Sequence, residues 1–263
     1  MSIQVKGENV AKLIAEIERS FPKLDFQPFK EKVEHALQVK NMTDDQVRNM
    51  LILTAVERIG RNEPEWTYVA ARFYLKKLYK LSAGFRQSGK ETCYGSFYEL
   101  INRLIDIGIY DGGILKSYSR EEIEHLEKVI DPERDKLFTY IGLVTMAERY
   151  LARSQNGDYA ELPQERFMMI AMTLLAEEPK EKRLELVKEA YWALSNLYMT
   201  VATPTLANAG KSYGQLSSCF IDTVADDLRS IYDCNTDIST LSKNGGGIGV
   251  YLGKIRSRGS DIK

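Results

Sequence analysis

The stretch LSSCFIDTVADDLRSIYDCNTDISTLSKNGGGIGVYL, Leu216–Leu252, decides the fold. It opens on a short apolar run, Cys219 to Val224, and continues into an amphipathic segment from about Asp226 to Ser242. A glycine run then leads into a second apolar segment, Ile248 to Leu252. Two short β-type runs flanking a helical period predict strand, helix, strand, the opening of an α/β sheet or barrel. From Tyr198 onward only two or three strands can be read, too few to close a barrel. The expectation is a chain that stops inside its second domain.

Upstream of Tyr198 the signals are helical. Val10, Leu13, Ile14, Ile17 and Phe21 share one face at a period of 3.6. Thr43 with Gln46 is a capping-box pattern for a helix running to about Ile59, and Ser119 with Glu122 is a second. Pro64 fits the first turn of a helix carrying Trp66, Val69, Phe73 and Leu81. Phe97–Ile109, Leu137–Leu151, a Met-rich helix entered by Pro163, and Lys180–Tyr198 follow. Met168, Met169, Met172, Trp66 and Trp192 read as core; His35 and His125 are given no role. The expected organisation is an N-terminal helical region (1–80), a second helical domain (81–198), and the start of an α/β unit (199–263).

Composition narrows the class. Lysine plus arginine (36) nearly cancels aspartate plus glutamate (37), so no global field argues for nucleic acid or an anionic membrane. No run is long and apolar enough to span a bilayer, and MSIQVKGENV lacks a signal-peptide core. Three widely spaced cysteines, Cys93, Cys219 and Cys234, without CxxC, read as a reducing compartment with no zinc site. The chain reads as cytoplasmic.

Several residues carry candidate chemistry. A cysteine opening an apolar strand is ordinarily a small hydrophobe. Around Cys219, two serines, a Thr-Pro-Thr turn upstream and glycine-rich backbone downstream add weight to the second reading, a reagent, beside that one. Redox chemistry would need a second thiol, and neither Cys93 nor Cys234 is marked as the partner. The glycines of GGGIG, Gly245–Gly249, let backbone amides approach a ligand, or simply make a tight turn. They follow a helix and enter a strand, so a dinucleotide fingerprint is not met, and no Walker loop is present. Lys254, Arg256, Arg258 and Lys263 form either a solvated basic loop or a phosphate site. Asp226 and Asp227 read first as helix N-terminal carboxylates, second as acceptors for sugar hydroxyls.

Five motifs in order carry a resemblance: DPERDKLFTYIGLVTMAERYL (Asp131–Leu151), LPQERFMMIAM (Leu162–Met172), ATPTLANAG (Ala202–Gly210), LSSCF (Leu216–Phe220) and KNGGGIGVYLGKIRSRGSDI (Lys243–Ile262). Over residues 60 to 263 or so, the chain resembles the N-terminal part of the large, catalytic subunit of class I ribonucleotide reductase. The resemblance implies a helical domain followed by the first strands of a ten-stranded α/β barrel. It makes Cys219 one of the two thiols that reduce the substrate's 2′ position. Thr205, Ser218, Cys219 and Gly247 would line the ribonucleoside-diphosphate site, with Thr205 near the diphosphate. Asp226, with Asp227 and Leu228, would meet the ribose of an ATP or deoxynucleotide effector, and Arg256 with Lys263 its phosphates. The helix Asp226–Ser242 would be a homodimer surface.

The same resemblance implies partners: the remaining half of the large subunit, a small subunit holding a dinuclear-metal radical cofactor, and thioredoxin or glutaredoxin. No cofactor or metal is expected on this chain. The family's radical cysteine, second reducing thiol and shuttle cysteines lie outside these 263 residues, so the chain alone is expected to be inactive. The N-terminus lacks a KRDG-like loop, so no complete ATP-cone is assigned. Rival readings are a non-enzymatic helical module that binds nucleotide or dimerises, and an adenosylcobalamin-dependent reductase.

Overall fold

The computed structural model describes residues 4–5, 8–39, 42–86, 94–243 and 245–261. Cys93 and Lys263 lie outside them. The chain begins with a minimal antiparallel pairing of β1 (Gln4–Val5) and β2 (Glu8–Asn9), where the sequence reading had only helices. The helices α1 (Val10–Glu18), α2 (Gln27–Val39), α3 (Asp44–Val56) and α4 (Trp66–Arg86) follow. Both expected capping boxes are present. Thr43 Oγ1 accepts from the Gln46 amide at 3.4 Å while the Gln46 side chain accepts from Thr43 N at 2.9 Å. Trp66 is buried among Phe26, Phe29 and Phe73, with ring centroids of Phe26 and Trp66 4.9 Å apart. The chain is continuous helix across residue 80, where the sequence reading placed a boundary.

Next come α5 (Phe97–Asp106), α6 (Ile114–Ser117) and α7 (Arg120–Glu127), the last opened by the Ser119–Glu122 box. The stretch read as one helix, 137–151, is divided. A 3₁₀ turn (Pro132–Leu137) precedes α8 (Tyr140–Thr145), which passes into a π turn (Met146–Tyr150). Helix α9 (Pro163–Leu174) is buried all round from Pro163 to Met172, as a helix at the centre of a domain must be. Helix α10 (Lys180–Ser195) packs on it through Val187, Tyr191 and Leu194. Trp192, expected in the core, is 52% exposed instead, because one residue on from Tyr191 turns about 100° round the helix. It stacks on Tyr198 at 5.2 Å.

The Thr-Pro-Thr turn is the first turn of a short helix, α11 (Thr203–Asn208). The chain then forms β3 (Cys219–Thr223), α12 (Leu228–Lys243) and β4 (Gly247–Tyr251). Strands β3 and β4 pair in parallel, with α12 as the crossover. The predicted strand, helix, strand unit is therefore present, and its sheet is open on both edges among the described residues. Ile221 is 87% exposed and Tyr251 is 56% exposed, so these strands are not the buried runs their apolar composition suggested. Among the described residues, no helix is long and apolar enough to cross a membrane.

Candidate functional site

The parallel register sets the site. Cys219 is the direct partner of Gly247, and the Gly247 amide donates to the Ser218 carbonyl at 2.9 Å. The Ser218 hydroxyl lies 3.4 Å from the Cys219 sulfur. The Cys219 side chain is exposed, and it is free. The bend before β4 needs small residues: a Cβ on Gly246 would meet the Phe220 ring at 2.8 Å, and Gly245 sits at φ +81°. This lets the backbone of 245–247 lie against β3 at the mouth of the thiol.

Thr205 is tied to the loop that leads into this strand pair. It is buried in α11, and its hydroxyl donates to the Leu216 carbonyl at 2.9 Å, two residues before Ser218. Asn208, on the next turn, donates to the Gln215 carbonyl at 2.9 Å. The loop that enters β3 is thus fastened to α11. Of the four residues predicted for one site, Ser218, Cys219 and Gly247 are adjacent in the strand pair, and Thr205 is tied through the Leu216 carbonyl to the loop that precedes them.

A second group lies at the opposite end of the same strand pair. The Arg256 Nε donates to Asp226 Oδ2 at 2.6 Å, its Nη2 to the Asp226 carbonyl at 3.4 Å, and its Nη1 to the Asp261 carbonyl at 2.5 Å. The loop after β4 is folded back onto the start of α12. Asp227 caps that helix by accepting the Ser230 amide at 2.9 Å, so α12 begins at Leu228 rather than Asp226. Leu228 is 72% exposed. Of the cysteines, Cys234 is buried on α12, and a hydrogen bond to the Asp222 carboxylate pushes its thiol up to about 11, the opposite of an activated thiolate.

The helical region contributes polar groups that the sequence reading passed over. Asp135 is buried and accepts the hydroxyls of Tyr79 (2.6 Å) and Tyr94 (2.7 Å) and the Gln164 amide (2.8 Å). Burial pushes its carboxyl up to about 6 against those three donors. Arg86 makes two hydrogen bonds to buried Glu165, at 2.9 and 2.5 Å. A fully buried Arg166–Glu161 pair stands beneath the loop that follows α11. Burial also pulls Lys211, in that loop, down to about 8. The signal for these groups was charge inside an apolar run, GluLeuProGlnGluArg at 161–166, which helical periodicity alone treats as noise.

Comparison with known proteins decides the family. The family model described as "Ribonucleotide reductase, all-alpha domain" matches residues 136–214, and the one described as "Ribonucleotide reductase, barrel domain" matches residues 217–263. The chain belongs to the ribonucleotide reductase large-subunit family. It is 39% identical over 256 residues to the ribonucleoside-diphosphate reductase subunit alpha of Treponema pallidum, covering 97% of this chain and 30% of that protein. The corresponding Helicobacter pylori (strain 26695) subunit is 37% identical over 232 residues, 88% of this chain and 28% of the relative. The reductase 1 subunit alpha of Escherichia coli K12 is 29% identical over 223 residues, 82% and 28% respectively. The chain therefore spans about 30% of the length of these relatives. The junction between the two family matches falls at 214–217, in the loop joining α11 to β3, where the reductase family's helical and barrel parts meet around Thr205 and Cys219.

Proposed function

We propose that this chain is the N-terminal part of a class I ribonucleoside-diphosphate reductase large subunit and that Cys219 is one of its two substrate-reducing thiols. The observation that carries the reading is the exposed, unpaired Cys219 sulfur set against Ser218 and directly opposite Gly247. The Ser218 hydroxyl lies beside it, the glycine bend 245–247 leaves the backbone there bare of side chains, and Thr205 is tied to the loop that leads in.

In this reading the overall step balances as one C2′–OH and two thiols giving C2′–H, one disulfide and water. The thiols are oxidised by two electrons and the sugar carbon is reduced by two. The family resemblance places the second thiol in the remainder of the large subunit, and Cys234, buried on α12 beside Asp222, is not offered for that role. A metal-centred radical in a separate small subunit supplies the initiating oxidation. Thioredoxin or glutaredoxin then returns the disulfide to two thiols by exchange.

Asp226 and Arg256 form the effector end of the same unit. Asp226 accepts the ribose hydroxyls of ATP or a deoxynucleotide with Asp227 and Leu228 next to it, and Arg256 holds the phosphates; Lys263, outside the described residues, is the second phosphate candidate. The exposed Leu228, Ile231 and Tyr232 of α12 support its use as a homodimer surface. Of the division into 1–80, 81–198 and 199–263, the first boundary falls inside α4, and the family matches change over at 214–217 rather than at 198. Cys219→Ser in the assembled reductase tests the reading: dithiol-driven turnover is lost while substrate binding persists. Full thioredoxin-dependent activity in that variant rules the role out.

A further inference from the structure

We infer that Arg166 is a positioning residue of the substrate site, acting through a buried strap that ties the helical region to Thr205 and the entry of β3. The inference rests on the reading of Thr205 and Cys219 as substrate-site residues.

Arg166 and Glu161 are both fully buried. The Arg166 guanidinium is shared: Nη1 lies 3.3 Å from Glu161 Oε1, and Nη2 donates to the carbonyl of Ala209. Glu161 also accepts the Ala152 amide at 2.5 Å and the Tyr110 hydroxyl. A hydrogen-bond relay leads out from Ala209. Its own amide donates to the Thr205 carbonyl at 3.1 Å, and the Thr205 hydroxyl donates to the Leu216 carbonyl at 2.9 Å. Three hydrogen bonds thus connect a buried cation of α9 to a point two residues before Ser218.

The segment after Ala209 is gripped from both sides. The Asp111 amide donates to the Gly210 carbonyl at 2.9 Å, and the Ser212 amide to the Ile109 carbonyl at 2.9 Å. The Ser212 hydroxyl adds a bond to the Gly108 carbonyl at 2.6 Å. Gly210 sits at φ +74°, and a Cβ there would lie 2.5 Å from the Met169 sulfur, one turn of α9 beyond Arg166. Only glycine satisfies both the backbone angle and the contact.

Burying an ion pair is a poor way to gain stability, since desolvation offsets the attraction and apolar packing does as well. Its yield here is a fixed direction for one carbonyl. The strap holds Thr205 and the loop into β3 relative to the rigid helical core, and a displacement of about 1 Å at a reacting group can cost on the order of 100-fold in rate.

The test uses the assembled reductase and three variants, Arg166→Lys, Arg166→Met combined with Glu161→Gln, and Gly210→Ala. The lysine keeps the charge beside Glu161 but lacks the fork that also reaches Ala209. The paired change leaves no orphan charge, and the alanine perturbs the strap without altering any charge. Each folded variant is expected to lose about tenfold or more in kcat/KM for substrate, through both a raised KM and a lowered kcat, with effector Kd unchanged. Arg166→Lys is expected to retain part of the affinity that the paired variant loses. Wild-type KM and kcat in any folded member of the set overturn the strap, and so does an equal loss of effector affinity, which marks general destabilisation. Thr205→Val is the separate control. If it leaves substrate KM unchanged, the substrate-site reading itself fails, whatever the Arg166 variants do.

Discussion

Cys219 and Gly247 face each other in a parallel pair, and the strands they begin carry Asp226 and Arg256 beyond their far ends. Parallel pairing requires this arrangement: whatever lies at the two N-terminal ends meets there, and whatever follows the two C-terminal ends meets at the other. β3 itself, Cys219–Thr223, is four residue steps of about 3.3 Å, roughly 13 Å long, and Asp226 lies three residues beyond its end. The strand pair thus links the end that carries Cys219 to the end that carries Asp226 and Arg256.

Arg256→Ala is expected to weaken effector binding about 10- to 100-fold, the worth of one or two charge-assisted hydrogen bonds. Asp226→Asn removes the carboxylate charge that now holds Arg256 at 2.6 Å and is expected to weaken nucleotide effectors by replacing a charged ribose acceptor with a weaker neutral one. Inorganic tripolyphosphate, which has no ribose, should bind that variant slightly more tightly, by about 2- to 5-fold, because an exposed ion pair is worth up to about 1 kcal/mol. Equilibrium binding of both ligands checks this; unchanged nucleotide affinity in Arg256→Ala counts against the phosphate role.

The Asp135 carboxyl supplies a pH dependence of stability. Its folded pKa, about 6, lies above the ordinary value of 3.8, chiefly through burial. The folded state therefore binds its proton more tightly than the unfolded state does. Stability from this group is fullest below about pH 4, declines as pH rises to about 6, and is level above that. Burial raises the carboxyl of Glu165 as well, adding a contribution of the same sign. Asp135→Asn should flatten the decline by about 3 kcal/mol at most, read from urea unfolding between pH 4 and 7. An unchanged slope would place the titration elsewhere.

Gly246→Ala should destabilise the strand pair by about 1–3 kcal/mol, since the new methyl group meets both the Phe220 ring and, at 3.1 Å, the Leu241 carbonyl. Adding Phe220→Leu should recover part of the loss. Thermal unfolding of the single and double variants measures the coupling; strict additivity would mean that the ring and the bend do not touch.

Local signals were legible in the sequence and non-local ones were not. The Thr43–Gln46 and Ser119–Glu122 boxes are read within four residues, and both form as expected. The two strands and their connecting helix were also visible, because a change of period from 2 to 3.6 is a local property. That Cys219 pairs with Gly247 depends on register across a 16-residue helix, which no pattern on either strand fixes. Trp192 looked like core because the period identifies a helix more surely than it assigns each large side chain to a face. The polar network around Arg166 was hidden for a related reason: buried charges are legible only once their partners, here Glu161 and the Ala209 carbonyl, are adjacent in space.

The most direct measurement is a single turnover of the reduced, assembled enzyme without external reductant, followed by alkylation and peptide mapping. The account predicts that Cys219 escapes alkylation in proportion to the deoxynucleotide formed and is recovered in a disulfide. Product formation with Cys219 still fully alkylatable would contradict it.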